Sequence, residues 1–327
     1  MAKNKEPDLT LNEERLNLLA QVASMYYEDN LTQHEISVQL GYSRSAISRL
    51  LTEARRAGVV EIRVYQPLGR SSELEQALRE RYDLRDARVL TSNALPYPRM
   101  LRRLGELAAR YVEKVVKEDD LLGVSWGTSV YEVANALRPP YYPEVMVVQM
   151  IGALGTADPQ IDGPELARWI AQRYGGRYKT MPAPLIVDTP EIRDALMRDR
   201  RVSEVLDLAG QSNVALVGIG TTDPEMSSMV RAGYLAVDEI KEVASFGAVG
   251  DVCGLLFSPQ GELLDIPLAR RVVGIQPDTL RRIPLVVGVA GRKVKAPAIL
   301  GALRARLVNV IITDDITAQA VLKLDHR

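Results

Sequence analysis

The chain is poor in the residues that build disulfides, metal centres and histidine-driven catalysis. Its 327 residues include one cysteine, Cys253, and two histidines, His34 and His326. A lone cysteine excludes an intrachain disulfide and any multi-cysteine metal site. With no histidine between residues 35 and 325, imidazole acid–base chemistry and the common histidine-rich zinc and iron sites are excluded from most of the chain. No metal, cofactor or catalytic residue is therefore expected. Long apolar runs are lacking as well. No stretch of about 18 uncharged apolar residues occurs, so no membrane span is expected. The opening MAKNKEPDLTLNEERL has no apolar centre of the kind a secretory signal carries. These absences lead to the expectation of a cytoplasmic protein. An excess of either charge is missing too: 41 basic residues face 42 acidic ones, for a net charge of −1. There is no global basic footprint for nucleic acid, so any DNA binding has to rest on a local patch.

What is present fits two globular domains. Hydrophobic residues make up 46% and charged residues 25% of a chain too long for one ordinary core. Gln66-Pro67-Leu68-Gly69 is the best linker, which suggests domains at 1–66 and 67–327. Ahead of it, an apolar stripe at Leu16, Leu19, Ala20 and Ala23 repeats at helical spacing over Asn12–Glu28. Two short helices are expected at Thr32–Leu40 and Ser43–Ala57, with Gly41-Tyr42 between them. Val59–Tyr65 then alternates apolar and charged residues, as a short strand would. Ser72 with Glu75 has the spacing of a capping box for a further helix over Ser72–Arg81.

The pair of short helices carries a chemical signature. Thr32 and Glu35 are spaced to satisfy orphan amides at a helix start, and Gly41 stands where a tight turn needs positive φ. Ser43 suits the N-cap of the second helix, whose Ile47, Leu50, Leu51 and Ala54 form one apolar stripe. That stripe leaves Arg44, Ser45, Ser48, Arg49 and Thr52 facing away from the core. From Ser43 to Gly58 there are four arginines against one glutamate. In a helix-turn-helix the second helix lies in the major groove, where arginine grips guanine and serine contacts base or phosphate. The amides of Thr32 and Gln33 suit a phosphate at a helix N-terminus. Thr32, Gln33, Ser43, Arg44, Ser45, Ser48 and Arg49 are the expected contacts to double-stranded operator DNA, with Val59–Tyr65 opening a wing. The structural alternative is a helical hairpin used only for dimer contacts, its arginines solvated.

Beyond about Ala87, apolar strand candidates alternate with helical patterns: Leu121–Ser125, Val145–Met150, Val214–Ile219, Pro284–Ala290 and Val308–Thr313. Such continuous apolar strands point to an α/β domain with a largely parallel sheet covered on both faces. Three strand ends open into glycine-containing turns: Gly123–Ser129, Gly218–Asp223 and Ala290–Lys295. Turns of this kind present amides, hydroxyls and a lysine to an anion beyond the carboxyl ends of the strands. They single out Gly127, Thr128, Ser129, Gly291 and Lys295. Gln149, inside an apolar strand, needs a partner if buried. Asp251, in a glycine-rich stretch, suits either sugar hydroxyls or the neighbouring backbone. Cys253 and Trp126 read as packing residues.

The stretches Leu31–Val64, Gly123–Leu137, Met181–Leu208, Gly247–Gly254 and Pro284–Leu322 together resemble the SorC family of sugar-binding bacterial transcriptional regulators. The resemblance implies a winged helix-turn-helix joined to an effector domain related to sugar-phosphate isomerases and deaminases. It also implies a homotetramer whose operator affinity responds to a phosphorylated sugar. The family's phosphate-binding hydroxyls fall on Thr128 and Ser129, its acidic sugar contact on Asp251 and its lysine on Lys295. Two departures stand out: Ile151 where relatives often carry Asn or Arg, and Gly291-Arg292 where Gly-Gly is usual. An apolar Ile151 favours a monophosphate over a bisphosphate. Two other functions compete with a ligand-controlled switch. One is a sugar-phosphate isomerase or deaminase with a DNA-binding appendage, driven by Asp223 or Asp251; the other is a ligand-independent architectural DNA binder.

Overall fold

The computed structural model describes residues 13–60, 68–92, 95–155 and 162–325. They fall into two compact units, one ahead of Leu68 and one from Leu68 onward. The strand expected over Val59–Tyr65 lies, from Glu61 on, outside the described residues.

The first unit contains α1 (Glu13–Tyr27), α2 (Gln33–Leu40) and α3 (Arg44–Arg56). Its core is made by Leu19, Val22 and Ala23 of α1, Ile36 of α2, and Ile47, Leu50, Leu51 and Ala54 of α3. The ends of α2 follow from its sequence. Thr32 and Glu35 form a reciprocal capping box, and Gly41 closes the helix at φ 70°. Ser43 then caps α3 by accepting from the amide of Ala46 at 3.2 Å. Two helices are thereby stopped and restarted within three residues.

The second unit is built on strands β1 (Asp86–Leu90), β2 (Leu121–Val124), β3 (Met146–Gln149), β4 (Arg177–Lys179), β5 (Val214–Gly218), β6 (Gly250–Val252), β7 (Leu255–Phe257), β8 (Leu285–Val289) and β9 (Val310–Asp314). Among the described residues, seven of them form one parallel sheet in the order β1-β9-β8-β5-β2-β3-β4. β6 and β7 pair antiparallel as a separate hairpin. Every residue of β9 is buried, as are the first four of β5. Successive side chains of a strand point to opposite faces, so both faces of the sheet are covered. The exposed residues of β4 mark one edge.

The helices of this unit are α4 (Ser72–Tyr82), α5 (Tyr97–Val115), α6 (Thr128–Ala136), α7 (Gly163–Tyr174), α8 (Pro190–Arg198), α9 (Arg200–Gly210), α10 (Ser228–Arg231), α11 (Val237–Ser245), α12 (Pro277–Arg282), α13 (Ala296–Arg304) and α14 (Asp315–Leu324). One local expectation fails. Ser72 is inside α4 rather than its cap, and Ser71 at the cap position makes no side-chain capping bond. Glu75 is spent elsewhere: it takes the Arg70 guanidinium and accepts from the amide of Val89 in β1 at 2.9 Å. A buried strand amide and a cation together outcompete a helix-end amide for one carboxylate.

Candidate functional site

The sheet order places a cleft. From β2 the chain adds β3 and β4 on one side, while from β5 it adds β8, β9 and β1 on the other. The order reverses between β2 and β5, the crevice where open parallel sheets bind ligands. The turns after β2, β5 and β8 leave neighbouring strands, so they converge there. The cleft so formed holds about 600 Å³ not filled by atoms, open solvent at its mouth included.

The turn after β2 runs through Ser125, Trp126 and Gly127 into α6. Gly127 takes φ 114° with no neighbour close to where a Cβ would stand, so conformation alone calls for glycine. No side chain caps α6. Its first amides are left to an outside acceptor, beside the hydroxyls of Thr128 and the buried Ser129. Ser125 Oγ accepts from the amide of Gly218 at 3.2 Å, tying this turn to the end of β5. The turn after β5 is fixed against β6: the Gly220 amide donates to the Asp251 carbonyl at 2.8 Å. A Cβ on Gly220 would collide with Asp251 Oδ1, so close approach explains this glycine.

Lys295 and Asp251 supply the charge. Lys295 is 5% exposed and its Nζ donates to the Ile219 carbonyl at 2.8 Å. Burial pushes its ammonium down to about 8, with nearby Asp251 working against that shift and Arg231 with it. Burial also pushes the Asp251 carboxyl up, opposed by a hydrogen bond from the Gly254 amide and by Lys295. The Cys253 thiol beside them is raised by burial and by Asp251, which keeps it protonated and unreactive.

Gly127, Thr128, Ser129, Asp251 and Lys295 all line this cleft. Gln149 and Gly291, also expected to contact the effector, do not line it. Gln149 is fully buried: its amide nitrogen donates to the Ile151 carbonyl at 2.7 Å and its oxygen accepts from the Met181 amide at 2.9 Å. Both ends are spent on backbone. Gly291 packs beneath the turn, where a Cβ would meet Asp314 Oδ2 at 2.7 Å. Trp126, read as a packing residue, does line the cleft, as do Ser227, Ser228 and Met229 around the start of α10. The last three follow no strand. The one sequence signal for them was a serine N-cap, Ser227, which accepts from the Val230 amide.

In the first unit, Thr32, Ser43, Arg44, Ser45, Ser48 and Arg49 are exposed and Gln33 is half-buried. Ser43 Oγ also lies 3.0 Å from Ser45 Oγ. The four buried residues of α3 occupy its opposite face. This is the disposition a recognition helix needs.

Residues 66–323 match the sugar-binding domain family Sugar-bind, and residues 19–57 match region 4 of sigma-70 factors. The chain belongs to the SorC family of sugar-binding transcriptional regulators. It is 35% identical to the transcriptional regulator LsrR of Enterobacter sp. (strain 638), over 97% of this chain and 95% of that protein. It is 31% identical to the deoxyribonucleoside regulator of Bacillus subtilis (strain 168), over 95% of this chain and 99% of that one. The crystal structure of the full-length sorbitol operon regulator SorC from Klebsiella pneumoniae superposes with a TM-score of 0.69 at 27% identity, covering 94% of this chain and 99% of that one. This SorC-family chain is thus a DNA-binding transcription regulator with a helix-turn-helix and a sugar-binding domain, and not an enzyme. Among the described residues, no helix is long and apolar enough to cross a membrane.

Proposed function

We propose that the effector is a phosphorylated sugar and that its occupancy of the cleft sets the affinity of α3 for operator DNA in the cytoplasm. The observation that carries this reading is the uncapped start of α6, with Thr128 and Ser129 on it and Lys295 lining the same cleft. A phosphate dianion is what such a donor set suits, because charge-assisted bonds are stronger than neutral ones. Asp251, which lines the same cleft, accepts hydrogen bonds from sugar hydroxyls. Ile151 also lines the cleft and offers no side-chain donor to a second phosphate near it, so a monophosphate is favoured. Control of DNA binding then requires only that the sugar bind one conformation more tightly than another.

On the DNA side, Arg44, Ser45, Ser48 and Arg49 read base edges, while Thr32, Gln33 and Ser43 hold phosphates. One short helix reaches few base pairs, so the regulator acts as a homo-oligomer, a tetramer built from dimers. The test is a thermal-shift screen of the full chain against phosphorylated sugars and their unphosphorylated counterparts. A specific sugar phosphate raises Tm by mass action, by roughly 2.7 kcal/mol of stability at about 100 times Kd. Stabilisation by free sugars alone would contradict the assignment.

A further inference from the structure

The turn after β8 holds a residue whose backbone is at odds with its identity. Arg292 sits at φ 88°, ψ 126°, a conformation that glycine takes freely and a residue with a side chain takes only under strain. The cause is local. Its amide donates to Asp314 Oδ2 at 2.9 Å, and the buried Asp314 also caps α14 through the amide of Thr317. A glycine at this position would make the same bond without strain, so the arginine side chain needs its own account.

That side chain is exposed, with its guanidinium 5.1 Å from the centre of the Tyr97 ring and against Met226 Sδ. Neither contact neutralises its charge. Both lead to the cleft. The Tyr97 phenol lies close enough to Thr128, at the start of α6, to feel its hydroxyl, and Met226 directly precedes Ser227, which lines the cleft. The guanidinium is therefore parked beside the cleft, on Tyr97 and on the residue that precedes Ser227.

We propose that Arg292 is a specificity-determining residue of the effector cleft, a guanidinium stored on Tyr97 that turns to grip the phosphate of an effector bound at the start of α6. The proposal rests on the reading of this cleft as a sugar-phosphate site. Because Asp314 fixes the backbone, only side-chain torsions have to change. The planar guanidinium then offers two parallel hydrogen bonds to one phosphate, which a lysine cannot.

The experiment uses inorganic phosphate as the probe, with the full chain unchanged or carrying Arg292→Gly or Arg292→Lys. Melting curves and calorimetry are read together. Ligand-free Arg292→Gly should melt above the unchanged protein, because the strain is relieved, yet bind phosphate roughly tenfold to a hundredfold more weakly. Arg292→Lys should fall between the two in affinity. A merely structural arginine would change Tm and leave phosphate affinity where it was, and that result overturns the proposal. If the unchanged protein responds neither to phosphate nor to any phosphorylated sugar, the reading of the cleft itself fails, and this assignment with it.

Discussion

Lys295 and Ile219 join the turns after β8 and β5: the lysine Nζ donates to the isoleucine carbonyl at 2.8 Å, with the side chain almost wholly buried. The ammonium is held here against its hydration, down at about 8 from an ordinary value near 10.4. Between those two values the unfolded chain binds more protons than the folded one. Stability contributed by this group therefore rises with pH across that window. The ligand-free protein should gain stability from about pH 8 to pH 10 relative to Lys295→Met, with a difference of slopes of at most about 1.4 kcal/mol per pH unit. Urea titrations of both proteins at several pH values measure it. Parallel stability curves would show that the lysine is not buried as described.

Phosphate binding should reverse that depression, since a dianion beside the ammonium favours its charged form. At about pH 8.5 the unchanged protein should take up a fraction of a proton on binding an effector phosphate, and Lys295→Met should not. Calorimetry in buffers of different ionisation enthalpy reads this directly. Equal proton uptake in both proteins would place the phosphate away from Lys295.

Arg44→Ala and Arg49→Ala should weaken operator binding without unfolding the first unit, because both side chains are exposed and opposite the buried face of α3. Loss of a base contact costs about 1–3 kcal/mol of discrimination, whereas loss of a phosphate contact weakens binding to all sequences alike. Gel-shift titrations on operator and random duplexes separate the two roles. Unchanged affinity for both variants would remove α3 from the DNA interface.

Much of this was legible from the sequence because local chemistry decides it. The capping box at Thr32, the positive φ at Gly41 and the buried face of α3 each follow from a few adjacent residues. The five apolar strands were readable for the same reason. The edge strands β1 and β4 and the hairpin β6–β7 were not: three-residue strands carry too little pattern, and in β1 the charged Asp86 and Arg88 break the apolar run. Long-range partners were the other blind spot. Gln149 needs a partner by its place in an apolar strand, but the sequence does not say that the partner is the amide of Met181, 32 residues away. Glu75 had a correct capping spacing and was claimed by Arg70 and β1 instead. The walls of the cleft depend on which strands are neighbours, and only the sheet order supplies that.

Two-fold assembly should be mirrored on the DNA. Footprinting on an operator is expected to show at least two half-sites about one helical turn apart, or a multiple of it. A single protected half-site, with a monomer in light scattering, would contradict an oligomeric regulator.

The central claim, that a phosphorylated sugar in this cleft controls operator affinity, is tested most directly by one gel-shift comparison. Operator binding is titrated for the unchanged protein and for Thr128→Ala, each without ligand, with the sugar phosphate found by thermal shift, and with the same sugar lacking phosphate. The unchanged protein should shift its operator Kd with the sugar phosphate alone. Thr128→Ala should bind operator normally without ligand and lose the response. A full response in Thr128→Ala, or an equal response to the unphosphorylated sugar, would contradict the account.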